Sequence, residues 1–403
     1  MDKPHLRICL AAFLLDGALM VILTAMPFYV YDHWQGSVSI PASIGAAQSL
    51  LYALVCLGVG QWINHNRHSL RWASFGTIIY CWGSAGAVLI PGVWGFAVVN
   101  VLAIVGMSIV WPALHGWLGA DPDPHRRARA MSRFNVSWSC GLAVGPLIGG
   151  FLYDYSPLTP FYAAFVMGVL CFGLLWGLPQ EEEYYAGHAE EQDDSWDAHA
   201  RLSERYLMAG WIANAVACAL VGVTRLVFTK RVDNLVLQGD LRFLMEPEAH
   251  PFLTHNPASI YALLAFLLAA MGALAFGVMG LTHRWHHRFR YIAGLQIAAA
   301  AAFWLLGHTS SFLFMGLAFM VIGAVSGAAF FVGAYYSMAY AALCRQRSSV
   351  NEFFVGIGNF VGPISVGILA ERYGVSIPFL YIPAAVLLGL GLQYYLIHRR
   401  RPA

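Results

Sequence analysis

Apolar positions along the chain come in long unbroken runs separated by short polar intervals. Runs of about 18 or more largely apolar residues are long enough to cross a hydrocarbon core as helices. Six such runs fall at 8–31, 42–62, 72–90, 94–117, 134–153 and 159–178. After a polar interval, six more fall at 205–229, 258–281, 291–307, 312–341, 353–370 and 376–397. The pattern predicts an all-α membrane protein with twelve transmembrane helices in two pseudo-symmetric six-helix bundles, 1–179 and 205–403. Composition agrees: 59% of the 403 residues are hydrophobic and 11% charged, where soluble domains carry roughly a quarter charged residues. The opening "MDKPHLR" has the positive charge of a signal peptide, but the run behind it is too long and no small-residue cleavage site follows. It reads as a retained first helix.

Charge supplies the orientation. Most of the 23 lysines and arginines fall on the face that twelve spans give to both termini, from Lys3 and Arg7 through Arg126, Arg127 and Arg129 to Arg399, Arg400 and Arg401. Basic residues are retained on the cytoplasmic side of short loops, so both termini are expected inside, and a bacterial inner membrane is the expected location. The same stop-transfer logic accounts for the "HRRR" tail without nucleic acid. Between the halves, "QEEEYYAGHAEEQDDSWDAHARLSER" (180–205) is acidic and aperiodic and reads as a cytoplasmic linker. The loop Lys230 to Pro257 reads as irregular, with no assigned role. The seven cysteines are odd in number and without paired spacing, which argues for packing rather than a disulfide framework or metal site.

The halves repeat. "GLAVGPLIGG" (Gly141 to Gly150) returns as "GNFVGPISVG" (Gly358 to Gly367), and at the same offset of 217 Gly106 falls on Gly323, Gly116 on Gly333 and Ser132 on Ser349. Gly141, Gly145, Pro146 and Gly150 thus match Gly358, Gly362, Pro363 and Gly367, which pairs span 5 with span 11. Small residues four apart share one helix face and admit a neighbouring backbone, while an internal proline removes a hydrogen bond and permits a bend. Tight packing explains one copy; two copies in register point to equivalent hinge or seal elements where moving halves meet. A parallel repeat of this kind places a substrate site between the halves.

Ionisable groups inside spans are the candidates for chemistry. Asp16 lies about nine residues past Arg7, roughly 13 Å along the helix. A carboxylate there is costly unless it is paired or faces water, and burial favours the neutral acid; it is the expected proton or cation site, with interhelical packing as the alternative. Arg225 lies near the opposite face, where it either snorkels to the outer surface or lines the outer mouth and favours anionic substrates. Glu352 reads as the end of a capping box with Ser349, with gating as the alternative because it lies opposite Asn135 in the repeat. Asn100, Asn214, Asn359, Tyr335 and Tyr336 are uncharged polar groups for a substrate cavity or for helix-to-helix hydrogen bonds. The histidine-rich "HRWHHR" (His283 to Arg288) supplies inside charge and is not read as a metal site. No nucleophile, base and orienter constellation or phosphate-cradling loop is present, so neither an enzyme nor a cofactor is expected.

Twelve spans, a polar central loop and a repeat of six resemble the major facilitator superfamily over nearly the whole chain. "GLAVGPLIGG" is similar to that family's helix-5 antiporter motif, and "LLDGALMVILTAMPFYV" (Leu14 to Val30) to helix 1 of its proton-coupled drug exporters. "GMSIVWPALHGWLGADPDPHRRARAMSRFN" (Gly106 to Asn135) resembles their helix 4, loop and start of helix 5. "GQWINHNRHSLR" (Gly60 to Arg71) resembles the family's gating loop, with Asn64 standing where an acid is expected beside Arg67 and Arg71. Asn100 stands near the position of a helix-4 arginine that many relatives carry. The resemblance implies alternating access by a monomer moving a small molecule across the bilayer, with proton-coupled export of a small amphiphile or drug as the leaning. A solute importer or facilitator without proton coupling, and a non-transporting receptor or scaffold, are the alternatives.

Overall fold

The structure is a computed structural model and describes residues 3–34, 37–63, 69–119, 124–179, 197–243, 256–282, 284–337 and 344–399. Its helices are α1 (Lys3–Trp34), α2 (Ser39–Ile63), α3 (Ser69–Gly86), α4 (Val93–Gly119), α5 (Pro124–Tyr155), α6 (Thr159–Leu175) and α7 (Asp197–Leu226). These are followed by α8 (Phe228–Leu237), α9 (Pro257–Leu281), α10 (Phe289–His308), α11 (Phe312–Ser337), α12 (Cys344–Tyr373) and α13 (Pro378–Arg399). Among the described residues ten helices are long and apolar enough to cross a membrane. The two other expected spans are α3, with 18 residues, and α6, with 17. Hydroxyls lower the hydropathy of α3 but stay on their own helix: Ser74 Oγ donates to the Leu70 carbonyl and Thr77 Oγ1 to that of Ser74, which satisfies them without water.

The chain divides into two compact units, Met1–Met26 with Leu51–Asp194, and Pro27–Leu50 with Ser195–Ala403. The boundary inside α1 falls at its internal proline, Pro27. In the first unit, α3 packs closely on α4 at glycine: a Cβ on Gly76 would stand 2.6 Å from the Gly106 carbonyl oxygen. Arg7 closes the end of α6, with Nε donating to Leu174 O at 2.8 Å and Nη2 to Trp176 O at 2.9 Å. A cation there satisfies carbonyls that a helix C-terminus leaves unpaired. In the second unit α7 packs against α11, α12 and α13, and α9 against α11, where a Cβ on Gly327 would stand 2.9 Å from the Gly272 Cα. Gln296 of α10 and Gln393 of α13 exchange two side-chain bonds, at 2.8 and 3.1 Å, a buried amide pair of the kind that fixes helices in an apolar surround.

Three sequence expectations change. Helix α12 begins at Cys344, so Ser349 stands within the helix and not at its N-terminus, where a capping box would place it; the polar "CRQRSSV" continues the helix beyond the membrane run. The Lys230 to Pro257 loop is not irregular at its start. The long seventh span ends at Leu226, and α8 follows with Phe228, Thr229, Arg231, Val232 and Asp233 buried. Beyond α8, Arg242 is pinned by two backbone bonds, its N–H to Ser310 O at 3.0 Å and its carbonyl accepting from Phe312 N at 2.9 Å. The acidic stretch 180–196 lies outside the described residues, and residues 197–204 form the first turns of α7.

Candidate functional site

In each unit the glycine-proline helix packs on the first helix of its own half. A Cβ on Gly145 would stand 2.7 Å from the Gly17 carbonyl oxygen and 2.6 Å from the Met20 Cβ, and Gly141 meets the Phe13 carbonyl. In the second unit Gly358 meets the Ala215 carbonyl, and a Cβ on Gly362 would stand 2.7 Å from the Ala219 Cα. Phe13 and Ala215, like Gly17 and Ala219, are 202 residues apart, so α1 and α7 repeat in a different register from α5 and α12. Pro146 and Gly150 are buried beside this seam, as is Pro363, which lies against Gly222. Gly367 faces elsewhere, with a Cβ there 2.7 Å from the Ala42 Cβ of α2.

Asp16 precedes Gly17 on α1 and is 4% exposed. The first unit encloses it, with Cys171 of α6 reaching α1 through a bond from Sγ to Ala11 O at 3.4 Å. The 202-residue register makes Cys218 of α7 the counterpart of Asp16 in the repeat.

Around Cys218 the second unit gathers several of the expected polar residues. Asn214 Nδ2 donates to Asn351 Oδ1 at 3.1 Å, and Cys218 Sγ lies 3.6 Å from Asn214 Oδ1. Asn359 faces α7, with a Cβ on Gly222 placed 3.4 Å from its Oδ1, while its own Nδ2 donates to Val355 O at 3.0 Å. Arg225 stands seven residues beyond Cys218, on the same side of α7 at 3.6 residues per turn, and Glu352 follows Asn351 on α12. Asn214, Arg225, Asn359 and Glu352 therefore belong to one polar strip on α7 and α12, joined by Cys218 and Asn351, which the sequence reading passed over. Cysteine bonded to asparagine leaves no spacing signature; the only available signal was the four-residue step from Asn214 to Cys218.

Tyr335 and Tyr336 fall in another place, beside the histidine-rich loop. Tyr336 Oη accepts from the His287 N–H at 3.0 Å, Tyr335 Oη lies 3.3 Å from His286 Nδ1, and Ser203 Oγ lies 3.0 Å from His287 Nε2. Asn100 is buried on α4 with Nδ2 donating to Phe96 O, and Asn135 accepts from Trp138 Nε1 at 3.0 Å. Arg71 is exposed, while Asn64 and Arg67 lie outside the described residues.

A further group joins Pro27–Leu50 to the rest of the second unit. Tyr31 Oη lies 3.2 Å from Thr229 Oγ1, and Lys230 Nζ sits 4.6 Å from the centre of the Tyr31 ring while pairing with Asp233 at 2.7 Å. Phe28 packs on Tyr261 with ring centres 6.1 Å apart, and Leu226 fills the space before Gly45. Arg231 is buried, donating to Ser376 Oγ and to the Gly307 and Thr309 carbonyls.

Residues 8–343 match the sequence profile described as "Major Facilitator Superfamily". A relative in Bacillus subtilis (strain 168), "Uncharacterized MFS-type transporter YhjO", is 26% identical over 149 residues, a match that spans 36% of each chain. Among solved structures, a POT family transporter in complex with 5-aminolevulinic acid is similar in fold, with a TM-score of 0.77 at 12% identity over 99% of this chain and 97% of that one. A bacterial homolog of the human lysosomal transporter Spinster, in an inward-facing and occupied conformation, gives 0.73 at 14% identity over 100% and 98%. The nucleoside transporter NupG gives 0.70 at 11% identity over the full length of both chains.

Proposed function

The chain belongs to the Major Facilitator Superfamily, and we propose that within it the protein is a proton-coupled exporter of a small amphiphilic molecule, working by alternating access with both termini in the cytoplasm of a bacterial cell. Multi-pass membrane transport follows from the family; coupling, direction and substrate are our reading. The observation that carries the coupling is Asp16, a carboxyl group in the middle of an apolar helix and 4% exposed. An ionised carboxylate in an apolar span is costly unless it is paired or faces water, so a conformational change that alters its surroundings changes how firmly it holds a proton. Binding a proton in one conformation and releasing it in another is what exchange requires.

The polar strip on α7 and α12 is the proposed substrate surface. The contacts of Pro27–Leu50 with α7, α8 and α12 form the proposed outer seal, which breaks when the outer side opens. Screening drugs and metabolites in a strain lacking its own exporters identifies a transported compound. In proteoliposomes loaded with that compound, a pH gradient is expected to drive its movement, accompanied by proton flux, and Asp16→Asn is expected to abolish the coupling. Transport that proceeds equally with Asp16→Asn and with a collapsed gradient would replace this reading with that of a facilitator.

A further inference from the structure

We propose that the start of α10 and the end of α13 form a binding site for an anionic phospholipid, with its phosphate among arginines at the membrane boundary and its acyl chains along the apolar face beneath. The site belongs to the second unit alone and depends neither on what the transporter carries nor on how it is coupled.

The loop before α10 is held from within. Trp285 is 5% exposed, and its Nε1 donates to the Met279 carbonyl of α9 at 3.0 Å. His287 takes a left-handed backbone, φ 53°, and is fixed in it. Its N–H donates to Tyr336 Oη of α11 at 3.0 Å, and its carbonyl accepts from Tyr206 Oη of α7 at 2.5 Å. With Trp285 and His287 tied to three helices, Arg284 and Arg288 are left exposed. Arg290, in the first turn of α10, is exposed as well, its Cζ 5.2 Å from the centre of the Tyr291 ring. The end of α13 lies alongside, because Phe289 packs on Tyr394 with ring centres 5.7 Å apart. There Arg399 is exposed, with Cζ 5.8 Å from the centre of the Tyr395 ring.

This cluster has no counter-charge of its own. Residues 282–308 and 378–399 contain neither aspartate nor glutamate. Among the described residues none of the four arginines forms an ion pair with a carboxylate. The acid that α7 brings towards the loop, Glu204, is taken by Arg347 of α12 at 2.7 Å. Basic residues at a membrane surface draw anionic lipid, and a guanidinium presents a planar fork that fits a phosphate.

The surface beneath the arginines selects a lipid over a soluble anion. Both helices are long and apolar enough to cross a membrane. Ile297 follows Arg290 by seven residues, and Leu392 precedes Arg399 by seven, so each lies on its arginine's side of the helix, about 10 Å along the axis. Both are exposed, as is Leu388, in the same relation to Tyr395. The exposed Tyr291, Tyr394 and Tyr395 are of the type that settles at headgroup level. A phosphate on the arginines with chains along these leucines and the isoleucine matches the arrangement.

The test measures binding to the purified full-length protein in dodecyl maltoside, by native mass spectrometry and by the rise in unfolding temperature. The probes are palmitoyl-oleoyl phosphatidylglycerol, phosphatidylcholine with the same chains, and glycerophosphate, which has the charge without the chains. Phosphatidylglycerol is expected to bind saturably and at least about ten-fold more tightly than either of the others. Arg290→Gln with Arg399→Gln is expected to lose about five-fold per arginine, whereas Arg133→Gln, at an exposed arginine of α5, leaves the preference in place. Arg290→Gln alone carries the test if the double variant fails to fold. Equal binding of the two lipids, binding of glycerophosphate as tight as that of the lipid, or an equal loss in Arg133→Gln would overturn the proposal; the last would mean attraction to basic surface in general.

Discussion

At the scale of single residues, the glycines of the repeated motif are set by backbone approach rather than by backbone conformation. A methyl group on Gly145 would stand 2.7 Å from the Gly17 carbonyl oxygen, and one on Gly362 would stand 2.7 Å from the Ala219 Cα. Neither neighbour is a flexible side chain that can turn away, so even alanine forces the helices apart. Overpacking of this kind costs about 1–3 kcal/mol. Gly145→Ala and Gly362→Ala are therefore expected to lower the melting temperature in detergent by similar amounts. Leucine at either site should lower transport more than it lowers the amount of protein in the membrane. Gly391→Ala, on α13 where nothing lies within 4 Å of the added methyl group, is the matched control and should leave both measurements unchanged. Transport that falls only in proportion to the amount of inserted protein would reduce the motif to plain packing. Its sequence revealed the small face and the repeat. It did not reveal the partner, because Gly17 lies 128 residues from Gly145 and α1 carries no matching motif to announce the contact.

At the scale of elements, the membrane-crossing helices follow from hydropathy alone, since twenty apolar residues in lipid have few alternatives to a helix. Where hydropathy stops, the reading stops with it. Helices α5 and α12 run on to Pro124 and Cys344 through polar sequence, and α8 hides Arg231 and Asp233 on its buried side, the reverse of what polarity predicts. The candidate strip was half readable for the same reason. Asn214, Arg225 and Asn359 stood out as polar residues in apolar runs, but only the packing of α7 on α12 brings them to one surface and separates them from Tyr335 and Tyr336. Packing also joins α2 to α12. With a Cβ on Gly367 placed 2.7 Å from the Ala42 Cβ, cysteines at the two positions are close enough to bridge after a small adjustment. In a variant without the native cysteines, Ala42→Cys with Gly367→Cys is expected to cross-link under mild oxidation and to stop transport, with recovery on reduction. Full transport by the cross-linked protein would mean that this contact persists through the cycle and is no part of an outer seal.

At the scale of the whole molecule, the proposed proton site makes a prediction about energy that depends on the charge of the substrate. The repeat makes Cys218 the counterpart of Asp16, so the halves differ in chemistry: the first carries an acid at this position, the second a thiol beside Asn214. If one proton enters as one monoanion leaves, each cycle moves two charges in the direction favoured by a membrane that is negative inside. At about 2.3 kcal/mol per charge per 100 mV, that amounts to about 4.6 kcal/mol per 100 mV, more than a thousand-fold in the substrate ratio that can be sustained. Reversal potentials in proteoliposomes clamped with potassium and valinomycin measure this charge count directly. One-for-one exchange of a proton and a monoanion predicts a two-charge dependence on voltage together with a response to pH. An anion moving without a proton predicts one charge and no response to pH, whereas a neutral amphiphile exchanged for a proton predicts one charge with that response. Movement that ignores voltage but responds to pH fits a monovalent cation leaving as a proton enters, and movement that ignores both removes the proton from the cycle and Asp16 from its proposed role.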